Sequence, residues 1–154
     1  MFMSMQRANP STVMTHRDQR GRDGGALSPS GTPILIIDGD RSVGVALAFM
    51  LGVAGYDDVR CVRSAARAVA VAEKYRPAIV FLEIELAGGE GYDLASQLRR
   101  SAKQRAIRLI ALTTDSEHPA RDQARNAGFD RFLVKPPTQA ELDKCLGKMP
   151  VGTA

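Results

Sequence analysis

From Pro33 onwards, short apolar runs alternate with amphipathic segments of helix length, and this alternation limits the chain to few folds. The runs cover 34–37, 59–62, 78–82, 107–112 and 132–134. Three of them are almost continuously apolar, as parallel strands covered on both faces are. Between them, Val43, Ala46, Leu47, Met50 and Leu51 keep the spacing of one helical face. Ala65, Val69 and Ala72 form a second stripe, Leu94 and Leu98 a third, and Ala120, Ala124 and Ala127 a fourth that stops at Gly128. Thr138 and Glu141 have capping-box spacing and open a fifth segment that presents Leu142, Leu146 and Met149. Five strands alternating with five helices define a doubly wound α/β domain of three layers.

Composition supports one domain over 33–149. Of 154 residues, 44% are hydrophobic, enough for a sizeable core, and aromatics are only 5%, so that core is aliphatic. Residues 1–32 are polar and Gly/Pro-rich without period and are expected to form a disordered N-terminal tail, with a short C-terminal tail at 150–154. The net charge of +4 owes much to Arg7, Arg17, Arg20 and Arg22 in that tail. Without aromatic interleaving or a DNA-binding motif, this charge does not favour a nucleic-acid partner. No run reaches membrane-spanning length, and a signal peptide's apolar region is missing, so a cytoplasmic protein without membrane contact is expected. Cys61 and Cys145 belong to no paired or metal-like cluster and read as small buried hydrophobes.

In doubly wound sheets, ligands bind at the carboxyl ends of the strands. There the sequence places Asp38, Gly39 and Asp40, then Glu83 and Glu85, then Thr113 and Thr114, then Lys135 with Pro136 and Pro137. Carboxylates suit hard divalent cations, and a hydroxyl and an ammonium suit phosphoryl oxygens. Each residue also has a plain structural reading. Asp40 fits a helix N-cap, Thr113 a loop hydroxyl, and Lys135 a solvated edge residue. Their joint placement, in order, after four of the five strands points to a phosphate site.

These strand-end residues resemble the response-regulator receiver family of bacterial-type two-component signalling. The matching motifs are 34–40 (ILIIDGD), 81–91 (FLEIELAGGEG), 111–113 (ALT) and 128–136 (GFDRFLVKP). The resemblance implies a flavodoxin-like sheet of order 2-1-3-4-5. It also implies a signalling protein and not an enzyme. In the family, an Asp after the third strand accepts a phosphoryl group from a histidine kinase, and neighbouring acids hold Mg²⁺. Carried over by position, Asp38 is the first acid, Thr113 the switch hydroxyl, Phe132 the aromatic switch position and Lys135 the lysine. The Lys135–Pro136 bond is the candidate cis-proline. Partner exchange is implied at the face formed by 116–127, Arg131–Val134 and 138–148, with a kinase, a downstream effector or a second copy as partner.

Two positions depart from that pattern. Gly39 stands where a second acid is usual, and Glu83 stands at the phospho-acceptor position; Ala87 also replaces a loop Pro. Asp38, Gly39, Asp40 and Glu85 then make up the acidic pocket, with Asp38 and Glu83 as a weak or absent Mg²⁺ site and no other cofactor expected. Glu83 is expected to pair with Lys135 and to accept a hydrogen bond from Thr113, partly imitating a phosphoryl group. Whether that biases the switch towards an active-like or an inactive-like state stays open. This reading makes the chain a stand-alone receiver working by protein contacts. Two alternatives stand beside it: a conventional phosphorylated receiver with a compensating acid, and, more remotely, a haloacid-dehalogenase-like phosphatase with Asp38 as nucleophile.

Overall fold

Aliphatic runs with side chains alternating between two faces extend into strands, and the segments between them coil over both faces. The computed structural model describes residues 29–86, 91–103, 106–114 and 121–147. The strands are β1 (Pro33–Ile37), β2 (Asp58–Val62), β3 (Ile79–Glu83), β4 (Arg108–Thr113) and β5 (Arg131–Val134). They form one parallel sheet in the order β2-β1-β3-β4-β5. The described helices are α1 (Arg41–Val53), α2 (Ala65–Tyr75), α3 (Gly91–Ala102), α4 (Arg121–Ala127) and α5 (Gln139–Leu146). Flavodoxin-like order and three-layer packing are as the sequence implied.

Strand alternation sorts the core into two halves. Leu35, Val80, Leu82 and Leu109 pack under α2, α3 and α4 with Ala68, Leu94, Leu98 and Ala124. Ile34, Ile36, Phe81 and Ile110 pack under α1 and α5 with Leu47, Leu51, Leu142 and Leu146. Side-chain oxygens cap the helices as the local sequence dictates. Asp40 accepts from the Ser42 amide at α1, Ser64 from the Arg67 amide at α2, and Thr138 and Glu141 complete a reciprocal box at α5. Gly128 ends α4 at φ +109°, a left-handed conformation that glycine adopts without a Cβ penalty.

Some sequence expectations change. Cys61 is exposed, because β2 is an edge strand and not the covered strand its apolar run suggested; Cys145 is buried on α5. On α2 the fully buried residue is Ala68, with Ala65 and Val69 only partly covered. On α1, Ala46 is exposed and lines a groove with Val43, Met50, Pro136 and Pro137. Residues 29–32, read from sequence as tail, turn against the domain: the Gly31 amide donates to Asp57 at 2.9 Å, and Thr32 is buried. Ala120, Met149 and the tail residues 1–28 and 150–154 lie outside the described residues. Among the described residues, no helix is long and apolar enough to cross a membrane.

One tie matches no sequence motif. Arg99 on α3 donates to the Gly128 carbonyl at 2.7 and 3.1 Å and to the Ile107 carbonyl at 2.5 Å. It also pairs with Asp130 at 2.6 Å, and Asp130 Oδ2 accepts from the Leu109 amide at 2.8 Å. One guanidinium thus joins α3, the end of α4 and the entries to β4 and β5.

The cysteines give a direct check on this fold. Burial raises both thiols, that of Cys145 to about 11, but Cys145 is enclosed on α5 whereas Cys61 lies on the open edge strand. Iodoacetamide at mild alkaline pH should modify Cys61 in the native protein and Cys145 only after denaturation. Mass spectrometry of the time course reads the order, and native labelling of Cys145 before Cys61 contradicts the packing.

Candidate functional site

β1, β3, β4 and β5 end together, so their following residues meet at one edge. Lys135 arrives there directly after β5, its amide donating to the Thr113 carbonyl at 2.7 Å, and the Lys135–Pro136 bond is cis. Its ammonium lies 2.9 Å from Asp38 Oδ2 and 3.4 Å from Glu83 Oε2. The Lys135 side chain is 8% exposed, that of Asp38 0% and that of Glu83 17%, so the three charges interact with little water between them.

The remaining carboxylate oxygens are held by main-chain amides. Asp38 Oδ1 accepts from the Asp40 amide at 2.8 Å, and Glu83 Oε1 accepts from the Gly39 amide at 3.0 Å. Gly39 therefore contributes a donor where a second acid was looked for. The Arg63 guanidinium in turn donates to the Gly39 carbonyl at 3.3 Å.

Burial pushes Asp38 above the usual carboxylate value of 3.8, outweighing the Asp40 amide and the Lys135 ammonium, which pull it down. Burial alone would lower Lys135, but Asp38 and Glu83 overcome it and hold the ammonium above 10.5.

Two placements correct the sequence reading. Thr113, buried at the end of β4, donates its hydroxyl to Glu85 Oε2 at 2.9 Å and not to Glu83. Pairing of Glu83 with Leu112 and donation from the Ile84 amide to the Leu112 carbonyl bring 85, two residues past 83, to the Thr113 hydroxyl. Asp40 does not send its carboxylate into the pocket. Its Oδ1 takes the Ser42 amide at 2.9 Å and the Ser42 hydroxyl at 2.7 Å, the helix-cap role. Ser42 contact holds Asp40 below its usual value. Phe132 is half-buried against the core beneath α2–α4 and not fully enclosed. Ala87 lies outside the described residues.

Gly91 has a packing role that its place in the 81–91 motif does not announce. A Cβ there would stand 2.6 Å from the Glu83 carbonyl and 2.5 Å from the Ile84 carbonyl, so only glycine lets α3 start this close to the end of β3.

The donor set does not fit a resident Mg²⁺. That ion needs near-octahedral oxygens, whereas Asp38 and Glu83 already accept from Lys135 and two amides and Gly39 has no side chain to offer. Among the described residues no group of three or more His, Cys, Asp or Glu is placed to hold a metal ion.

An acidic, lysine-anchored edge on a 2-1-3-4-5 sheet is the frame of a signalling domain, and the family model of the response regulator receiver domain matches residues 34–146. The chain belongs to that family, so it carries a receiver domain of two-component signalling.

It is similar to the transcriptional regulatory protein PdtaR of Mycobacterium tuberculosis, 30% identical over 109 residues, covering 71% of this chain and 52% of that one. It thus spans about half the length of that relative. Protein PilH of Pseudomonas aeruginosa is 26% identical over 119 residues, covering 77% of this chain and 98% of PilH. Among solved structures, a response regulator from Chloroflexus aurantiacus aligns with TM-score 0.66 and 29% identity, covering 72% of this chain and 90% of that one.

Lys135→Met should cost about 3 kcal/mol at neutral pH, because it strands a buried carboxylate. The cost should shrink on acidification. Asp38 binds its proton more tightly folded than unfolded, so its contribution is full below 3.8 and is lost as the pH rises through its higher folded value. Urea denaturation at pH 7 and pH 4 checks both, and a pH-independent cost refutes the pairing. Gly91→Ala should cost roughly 1–3 kcal/mol by overpacking the end of β3. The shift of its urea midpoint measures it, and an unchanged midpoint argues against the close approach.

Proposed function

We propose that this chain is a stand-alone receiver that signals through protein contacts without ordinary aspartyl phosphorylation. One observation carries the reading: at the acceptor position Glu83 is already engaged at both oxygens, by Lys135 on one side and the Gly39 amide on the other. Phosphoryl transfer depends on positioning and on charge compensation by metal. Here the extra methylene shifts the carboxylate, the lysine that would read a phosphoryl oxygen holds Asp38 and Glu83 instead, and the second metal-binding acid is Gly39.

The match to PilH, which spans 98% of that protein, supports a receiver working as a separate unit. Asp40 is the nearest candidate for a compensating acid, and its role as the cap of α1 argues against a conventional phosphorylated receiver. In this reading the domain acts in the cytoplasm, with no catalytic turnover. Its partner is a kinase, an effector or a second copy, and it docks on the face built around α4, β5 and α5.

Incubation with a small phosphodonor and Mg²⁺, followed by intact mass measurement, should leave the wild-type mass unchanged. The double variant Gly39→Asp/Glu83→Asp should gain Mg²⁺-dependent modification by one phosphate. Space permits the first substitution, since a Cβ on Gly39 meets nothing nearer than Glu83 Oε1 at 3.8 Å. Stoichiometric phosphorylation of the wild-type chain refutes the proposal.

A further inference from the structure

A phosphoryl group on a receiver must satisfy both a lysine and a switch hydroxyl at once, and in this pocket Glu83 reaches only the first. Its oxygens meet Lys135 and the Gly39 amide. The hydroxyl of Thr113 goes to a different carboxylate, Glu85 Oε2, at 2.9 Å.

We infer that Glu85 is the positioning residue of the switch: it clamps Thr113 towards the end of β3, so that two neighbouring carboxylates divide the contacts one phosphoryl group would make. This inference rests on the phosphate-independent reading above and supplies the half of the imitation that Glu83 lacks.

Three features of the structure support the clamp. Thr113 is 1% exposed, and a buried hydroxyl takes the rotamer that its acceptor dictates. The acceptor is charged, which strengthens the bond relative to a neutral one. Strand alternation then puts Thr113 on the same sheet face as Leu109 and Ala111, both in the core beneath α2–α4. Ala111 pairs across with Phe132, which packs against that core. The clamped hydroxyl therefore sits on the sheet face that α2–α4 cover and that reaches Phe132 of β5 through Ala111. Glu85 itself is exposed, so it can hold or release Thr113 without disturbing the core.

The test uses the full chain as wild type, Glu85→Ala, Glu85→Gln and Glu83→Ala. Three-bond couplings from the Thr113 methyl carbon to its amide nitrogen and carbonyl carbon report the side-chain rotamer. The wild-type protein should show one rotamer. Glu85→Ala should give a mixture of staggered wells, and Glu85→Gln, which keeps an acceptor oxygen, should restore the single state. Glu83→Ala should leave Thr113 in its single rotamer. Wild-type couplings in Glu85→Ala overturn the clamp, as does equal averaging in Glu83→Ala and Glu85→Ala. The phosphodonor measurement is run on the same samples. Phosphate gain by the wild type defeats the phosphate-independent reading while leaving the Thr113 couplings to decide on the clamp.

Discussion

A single buried ammonium organises this molecule. Lys135 and Asp38 are 97 positions apart in the chain, yet they meet at 2.9 Å with almost no solvent between them. Two carboxylates cannot be kept that close and that dry without a counter-charge. The ends of β1, β3 and β5 are therefore held in register by electrostatics as well as by the sheet. The cis bond after Lys135 and its amide contact with Thr113 set the direction from which the ammonium enters.

Around that ammonium, acid and amide groups satisfy one another. Gly39 offers an amide donor just after β1, and the side chain of Glu83 is long enough to reach it from the end of β3. Lys135 lies between the carboxylates of Asp38 and Glu83, so the charges of the pocket compensate each other internally.

The sequence revealed those parts of the structure that depend on local pattern. Short, nearly continuous apolar runs marked the strands, period 3.6 the helices, and Thr138 with Glu141 a cap that the structure reproduces. The residues at strand ends were legible too, because parallel strands bring their carboxyl ends to one edge. What the sequence could not give were facts of sheet position and register. Cys61 lies in a run that reads as covered, but no local signal says that β2 is an edge. Thr113 met Glu85 and not Glu83 because of where β3 and β4 align, and side-chain reach alone does not decide that. Asp40 was legible in both of its roles, and the cap role is the one its carboxylate takes. The Arg99 tie carried no motif. Its one available signal was an arginine among the apolar positions of α3, opposite the Asp130 that precedes β5.

That tie has a mechanical consequence. Arg99 grips the carbonyl of Gly128 and the carboxylate of Asp130, so the carboxyl end of α4 is lashed to α3. A rod fixed at one end swings from the other. Any rearrangement of α4 must therefore have its fulcrum at Gly128 and its largest travel at the end nearest Thr113.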